Sequence, residues 1–306
     1  MESVSQLFGA DLTWLRCALH AHTTQSDGEL AATELICLYE ESGFDVLAIT
    51  DHWVRTEPPP AERLLVIPSS ELSFVLPEES DGHLLAYGIE NDPRELVRTR
   101  PNLDEAARWI TDQGGVAYLA HPYWSGLEPS ALALPHEVSG IEVYNAGCEL
   151  ETGRGLATVH WDSVLERGDF CLGIASDDTH HGRCDSRFAW VYLAVAETSA
   201  AGVLAALAEG SFYSSMGPVV HELEVAADAV TITCSPCRRV TLCSGRRRGS
   251  SVSAGPDGYW YRGEILAHSA DGEITSARLE RRRGASYGRV ELIDAMGRKA
   301  WTNTLW

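Results

Sequence analysis

"LRCALHAHTTQSDGELAATEL", from Leu15 to Leu35, is the stretch whose reading decides the fold. A short apolar run ends in His20-Ala21-His22. Asp27 and Gly28 follow, and then apolar residues recur at helical spacing up to Gly43, a natural residue just past a helix end. A strand leading through a polar loop into a helix is one β–α unit. Residues two apart on a strand point the same way, so His20 and His22 present their rings together while Ala21 points away.

The unit repeats along the chain. "FDVLAITDH", "RLLVIPSSEL", "HLLAYGIE", "GVAYLAHP", "GIEVYN", "DFCLGIASDD" and "RFAWVYLAV" read as strands. "LDEAARWITDQGG", "GLATVHWDSVLERG" and "SAAGVLAALAEG" read as helices, the last opened by Thr198 or Ser199 and closed by Gly210. Near-continuous apolar strands alternating with helices predict an α/β fold with a parallel sheet, and about seven strands predict a closed or nearly closed barrel. From about Val219 the texture changes to short alternating runs between Gly, Ser and Asp turns, which predicts an all-β segment. The expected organisation is a barrel over 1–218 and a small C-terminal β domain over 219–306.

Composition narrows the function. The 306 residues hold 24 Lys and Arg against 44 Asp and Glu, a net charge of −20. Such a surface repels duplex nucleic acid, whose phosphates demand cations. No apolar run reaches the length of a membrane span, and "MESVSQLFGADLTW" lacks the basic-then-apolar layout of a signal peptide, so a cytoplasmic protein without membrane partners is expected. The eight cysteines lack framework spacing and read as reduced thiols. Cys234 and Cys237 form a CxxC with no second pair to complete a zinc site. "RRVTLCSGRRRGS" and "LERRRG" are basic clusters that could meet an anionic partner but read first as solvated strands and turns.

Chemistry concentrates at the strand ends. His20, His22, His52, His121 and His180 lie at or just past C-terminal ends of the expected strands; His83 opens its strand and breaks the polarity. Asp27, Glu71 and the pair Asp177–Asp178 join them. In α/β barrels these ends form one face, where active sites are built. Neutral imidazole and carboxylate suit Zn²⁺, Mn²⁺ and Fe²⁺, and carboxylates can bridge two ions. A lone histidine at a strand end is usually a satisfied polar residue, and His136, His160, His221 and His268 fit that reading. The ordered set HxH, SDG, TDH, strand-end Glu, AHP and DxH is far harder to obtain by accident.

The pieces "LHAHTTQSDG", "LAITDH", "PSSEL", "GHLLAYGI", "LAHP", "IEVYN" and "ASDDTH" resemble the polymerase-and-histidinol-phosphatase (PHP) superfamily. "AHPYWSGL", "GSFYSSMGP" and "DAMGRKAWTNTLW" look closer to its carbaryl-hydrolase-like branch. The resemblance implies a distorted (β/α)7 TIM-like barrel holding two or three divalent ions (Zn, Mn or Fe). It implies that His20, His22, Glu71 and Asp178 hold the first ion. Glu71 would bridge to a second held by His83 and His121, and Asp27, His52 and His180 would hold a third. A carboxylate at Asp27 would favour Mn²⁺, Mg²⁺ or Fe²⁺ there. Asp51 is expected to orient a ligand rather than bind, and the DxH spacing favours Asp178 over Asp177.

The implied activity is a metal-dependent phosphoesterase that cleaves a small phosphorylated metabolite or nucleotide ends through metal-bound hydroxide, with Glu71, Asp178 and His180 at the catalytic centre. Arg154, Arg183 and Arg187, each following a strand end, are candidates for binding phosphate oxygens. His181 and a metal-bound water are the two candidates for proton donor. The acidic charge favours small or single-stranded substrates over duplex. The alternatives are a carbamate or ester hydrolase using the same cluster, and a non-catalytic metal-binding module.

Overall fold

The computed structural model describes residues 2–3, 12–76, 81–255 and 258–306. The opening motif folds as read: strand β2 (Thr13–Ala18; β1 is the short Glu2–Ser3) leads through the His20–Gly28 loop into helix α1 (Ala32–Glu41). Leu35, Ile36, Leu38 and Tyr39 form the buried face of α1, and Leu35, Ile36 and Tyr39 pack with Phe44, Leu47 and Ile49. Gly43 ends the helix at φ +75°, where a side chain would be strained.

The class is mixed α/β. Strands β2, β3 (Val46–Ile49) and β4 (Leu65–Val75) run parallel, as do β6 (Val116–Leu119), β7 (Val138–Asn145) and β8 (Leu172–Ser176). Between these groups β5 (Asp81–Tyr87) is antiparallel to both neighbours. Regular β–α alternation is therefore interrupted by a hairpin. Strands β9 (Trp190–Val195) and β10 (Phe212–Ser215) continue antiparallel from β2. Helices α2 (Leu103–Thr111), α3 (Ala146–Thr152), α4 (Thr158–Glu166) and α5 (Ala200–Glu209) complete this part. Ser199 caps α5 by accepting from Gly202 N, and Gly210 closes it in the left-handed region. No described helix is long and apolar enough to cross a membrane.

After Val219 the chain is all strand: β11 (Val220–Val225), β12 (Ala229–Cys237), β13 (Arg239–Ser244), β14 (Ser250–Ser253), β15 (Tyr259–Tyr261), β16 (Gly263–His268), β17 (Ile274–Glu280), β18 (Gly288–Ile293) and β19 (Lys299–Thr302). β19 pairs with β10, so among the described residues β13, β14, β15, β18 and β19 extend the first sheet to fourteen strands, while β1, β11, β12, β16 and β17 make a second sheet. Both sheets share a core of Leu223, Ile232, Leu242, Val252, Leu279 and Leu292.

Two features bind this region to the rest. Arg289, 1% exposed, makes a two-pronged bond to Asp162 on α4 (2.9 and 3.0 Å), with its guanidinium over Trp161. Asn303 spans the open side of the sheet: its Oδ1 accepts from Gly173 N on β8, and its Nδ2 donates to Gly210 and Phe212 carbonyls beside β10.

Candidate metal centre

The ends of β2 and β8 meet through a parallel bridge between Ala21 and Thr179. His22 N donates to Thr179 O (2.8 Å), and Asp178 N donates to His20 O (3.1 Å). This places His20-Ala21-His22 against Asp178-Thr179-His180. Gly28 sits where an added Cβ would lie 2.4 Å from His22 O, so only glycine lets the Asp27 loop fold back this closely. Glu71 comes from β4, bridged to His52 just past β3. His83 enters from β5, whose antiparallel direction brings a strand beginning to the same face. His121 (φ 25°) and Asp178 (φ 57°) both hold left-handed backbone, a strain costing about 1–3 kcal/mol each and concentrated at this site.

All nine residues proposed from sequence as ligands converge. His20 Nε2 and His22 Nε2 lie 3.1 and 3.2 Å from Glu71 Oε2, and at the same distances from Asp178 Oδ1. The other Glu71 oxygen faces His83 Nδ1 at 2.9 Å and His121 Nε2 at 3.1 Å. Asp27 reaches His22, His52 and His180 at 3.4 to 3.5 Å. Three donor groups of metal-holding size result: His20, His22, Glu71 and Asp178; His22, Asp27, His52 and His180; and His52, Glu71 and His83. His52 faces both the Glu71 and Asp27 carboxylates.

The donors are turned for coordination. His20 Nδ1 donates to Glu142 Oε1 (2.8 Å), leaving the Nε2 lone pair toward Glu71 and Asp178. His180 Nδ1 donates to the Asp178 carbonyl (3.0 Å), which leaves Nε2 unprotonated toward Asp27 in the neutral ring. His22 Nε2, His83 Nδ1 and Asp178 Oδ1 are buried with no hydrogen-bond partner among the described residues. Orphaned buried polar atoms are costly, and three around one carboxylate fit divalent ions as their partners.

Charges couple strongly here. Burial alone would raise the Glu71 pKa, but His20 and His83, with hydrogen bonds from His121 and His20, hold it well below the carboxylate range. Burial likewise opposes ionisation of Asp178, and His20 and His22 overcome it. In the chain alone, His22 is pushed to about 9: burial lowers it, and the Asp178 and Glu71 carboxylates 3.2 Å away more than compensate. His52 moves the other way, lowered chiefly by burial.

Glu142, in the middle of "IEVYN", was not among the proposed site residues. It is fully buried and accepts from His20 Nδ1, Ser176 Oγ, His121 N (2.8 Å) and Asn145 Nδ2 (2.8 Å). It thereby orients two of the imidazole-bearing segments. Replacing Glu142 by Gln should weaken metal affinity about 10–100-fold, measured by competition with a chromogenic chelator. An unchanged affinity would remove this role. Among the described residues Asp51 bonds to no imidazole; it accepts from Thr23, Ser26 and Thr56 and braces the Asp27 loop. Asp177 faces away, accepting from Tyr39 and the Arg187, Phe188 and Ala189 amides.

A cleft of about 250 Å³ opens over the cluster. Beyond the ligand candidates it is lined by Trp124, Gly147, Cys148, Glu151 and His181. Helix α3 supplies three of these and was not expected; its signals are Asn145, whose Oδ1 accepts from Cys148 N, and Gly153, left-handed at its end. Among the described residues, no arginine lines the cleft. Arg154 stands over the Tyr123 ring, Arg183 pairs with Glu41 (3.6 Å) in solvent, and Arg187 turns back to Ser186 and the Arg183 carbonyl. His181 Nδ1 lies 3.1 Å from Glu29.

Among solved structures, a two-domain protein from Bacteroides vulgatus, described as containing a predicted PHP-like metal-dependent phosphoesterase, matches over 96% of both chains with a TM-score of 0.55 and 16% identity. This chain shares that protein's fold. Two partial matches are a provisionally assigned metal-dependent phosphoesterase from Bifidobacterium adolescentis (16% identity, 54% of this chain and 88% of that one, TM-score 0.37) and a lesion-specific endonuclease from Pyrococcus furiosus (11%, 64% and 56%, TM-score 0.44). No family model and no curated protein matches the sequence. Within this fold, the donor cluster described above occupies the face formed by the ends of β2, β3, β6 and β8, the start of β5 and Glu71 within β4.

Proposed function

We propose that the chain is a metal-dependent hydrolase acting on phosphoesters of small molecules or nucleotide ends. The observation that carries this reading is Glu71, whose two oxygens face separate sets of imidazoles. His20, His22, Glu71 and Asp178 would hold one ion, His83 and His121 with Glu71 a second, and Asp27, His52 and His180 a third. Zn, Mn or Fe bound there supplies acidified water and neutralises charge as an ester bond breaks. Asn145 Nδ2 fixes Asp178 Oδ2 (3.0 Å), and Glu142 fixes His20, so the donors are held before any ion arrives. Glu71, Asp178 and His180 keep their place at the catalytic centre in this reading.

The arginine-free lining favours a second reading, a carbamate or ester hydrolase, which needs no cationic side chain for a phosphate. Metal analysis of protein purified without added metal, followed by a panel of phosphomonoesters, phosphodiesters, carbamates and esters, separates the two. The first reading expects phosphoester turnover that a chelator abolishes and metal restores. Turnover confined to carbamates or esters establishes the second, and retained metal with no turnover on any substrate leaves a metal-binding module.

A further inference from the structure

The charge of this chain is unevenly placed. Residues 1–218 carry 11 Lys and Arg against 34 Asp and Glu, whereas residues 219–306 carry 13 against 10. The positive charge gathers further on two turns. Arg246, Arg247 and Arg248 lie between β13 and β14, and Arg281, Arg282 and Arg283 lie between β17 and β18. The fold brings the two triplets together: Arg248 Nη1 donates to Gly284 O, and a Cβ on Gly245 would meet Ser286.

Some arginines elsewhere pair with carboxylates, as in Arg55–Glu57, Arg167–Asp169, Arg278–Asp228 and Arg298–Asp294. In this corner only Arg282 does, at 4.0 Å from Glu280, the outer limit of an ion pair. Arg246 takes Glu166 through its backbone amide, and Arg281 stacks on Trp306, 4.0 Å from guanidinium carbon to ring centroid. Among the described residues, five of the six guanidinium groups have no carboxylate partner. Arg246, Arg247, Arg282 and Arg283 are exposed. Unneutralised cations crowded together in a chain with this surplus of acid mark a site for an anion from outside.

We propose that the two arginine turns form a binding site for single-stranded nucleic acid, separate from the metal centre. Glu166, beside Arg246, ends α4, and the residues lining the cleft include none from that helix or from either arginine turn, so the corner is not a wall of the cleft. Each guanidinium can grip phosphate oxygens through two parallel bonds. A flexible strand can follow the corner and leave the acidic body, while a duplex or an anionic bilayer would spread its charge across that body. Neither triplet includes an exposed large apolar side chain that would enter a membrane.

The test uses the full chain with fluorescein-labelled oligothymidylate and oligouridylate, read by anisotropy across a salt series. Six phosphate contacts predict a slope of log affinity against log salt of about −4 for a single strand. The variant R246S/R247S/R282S/R283S should lower that slope to about −1 and weaken low-salt binding by more than about tenfold. Lysine at the same four positions should keep the slope, which separates lost charge from lost folding. Binding that is absent at low salt, unchanged in the serine variant, or tighter to duplex or phosphatidylserine vesicles than to single strands overturns the proposal. The result does not depend on the hydrolase reading, because binding is measured without turnover.

Discussion

Replacing Glu71 by Gln should lower kcat/KM about a thousandfold and reduce the bound metal. Glu71 is 1% exposed, with Oε2 near His20, His22 and His52 and Oε1 near His83 and His121. Glutamine keeps the shape, removes the negative charge and turns one acceptor into an N–H₂ donor facing imidazole nitrogen. A bridging ligand that loses its charge gives up several kcal/mol of stabilisation, and about 4 kcal/mol corresponds to three decades in rate. Kinetics at saturating metal, elemental analysis and circular dichroism on the same preparation check this. A folded Glu71→Gln enzyme with full metal content and activity within tenfold of the parent would show that Glu71 does not bridge.

The second large effect is a gap in melting temperature between metal-loaded and chelated protein that widens from about pH 6.5 to 9. In the chain alone the His22 pKa is raised to about 9, above its ordinary value of about 6.5. A raised imidazole pKa stabilises the fold fully below the unfolded value, and that contribution is lost as pH rises through the folded one. His20 is shifted in the same direction: burial opposes the shift, and Asp178, Glu71 and Glu142 outweigh it. Chelated protein therefore loses stability across this window. Coordination needs neutral imidazole, so metal affinity rises over the same window. At a thousandfold excess of free metal over Kd the added stability is about 4 kcal/mol. Glu71 and Asp178 stay ionised throughout and do not tilt the trend. Differential scanning calorimetry at four pH values checks it; a gap that narrows with pH contradicts it.

Much of the donor cluster could be read in advance because its residues sit at strand ends, where backbone geometry dictates side-chain direction. His20 and His22 follow from the two-residue period alone. His83 looked misplaced only while every strand was taken as parallel; β5 runs backwards, and its beginning becomes a site end. Glu142 left a signal, a carboxylate inside an apolar strand, whose meaning needs the partners at His20 and His121. The arginines could not be aimed from sequence, because Arg183 and Arg187 lie on a loop whose turns set their direction. Helix α3 is only about two turns between a strand and a longer helix, too brief for its apolar spacing to stand out. The extent of the first sheet was also hidden, since β10 and β19 are separated by more than eighty residues of sequence and pair only in space.

Asn303 gives the fold an order in time. It seals the side of the sheet between β8 and β10, and Trp301, two residues before it, is buried against Tyr144. A ribosome making this chain releases the strands bearing the imidazoles long before it releases these two residues. The nascent amino-terminal part must wait with one side unsealed until residue 303 has emerged from the exit tunnel. Until then the apolar flank between β8 and β10 stands exposed, the kind of surface that chaperones shield during synthesis.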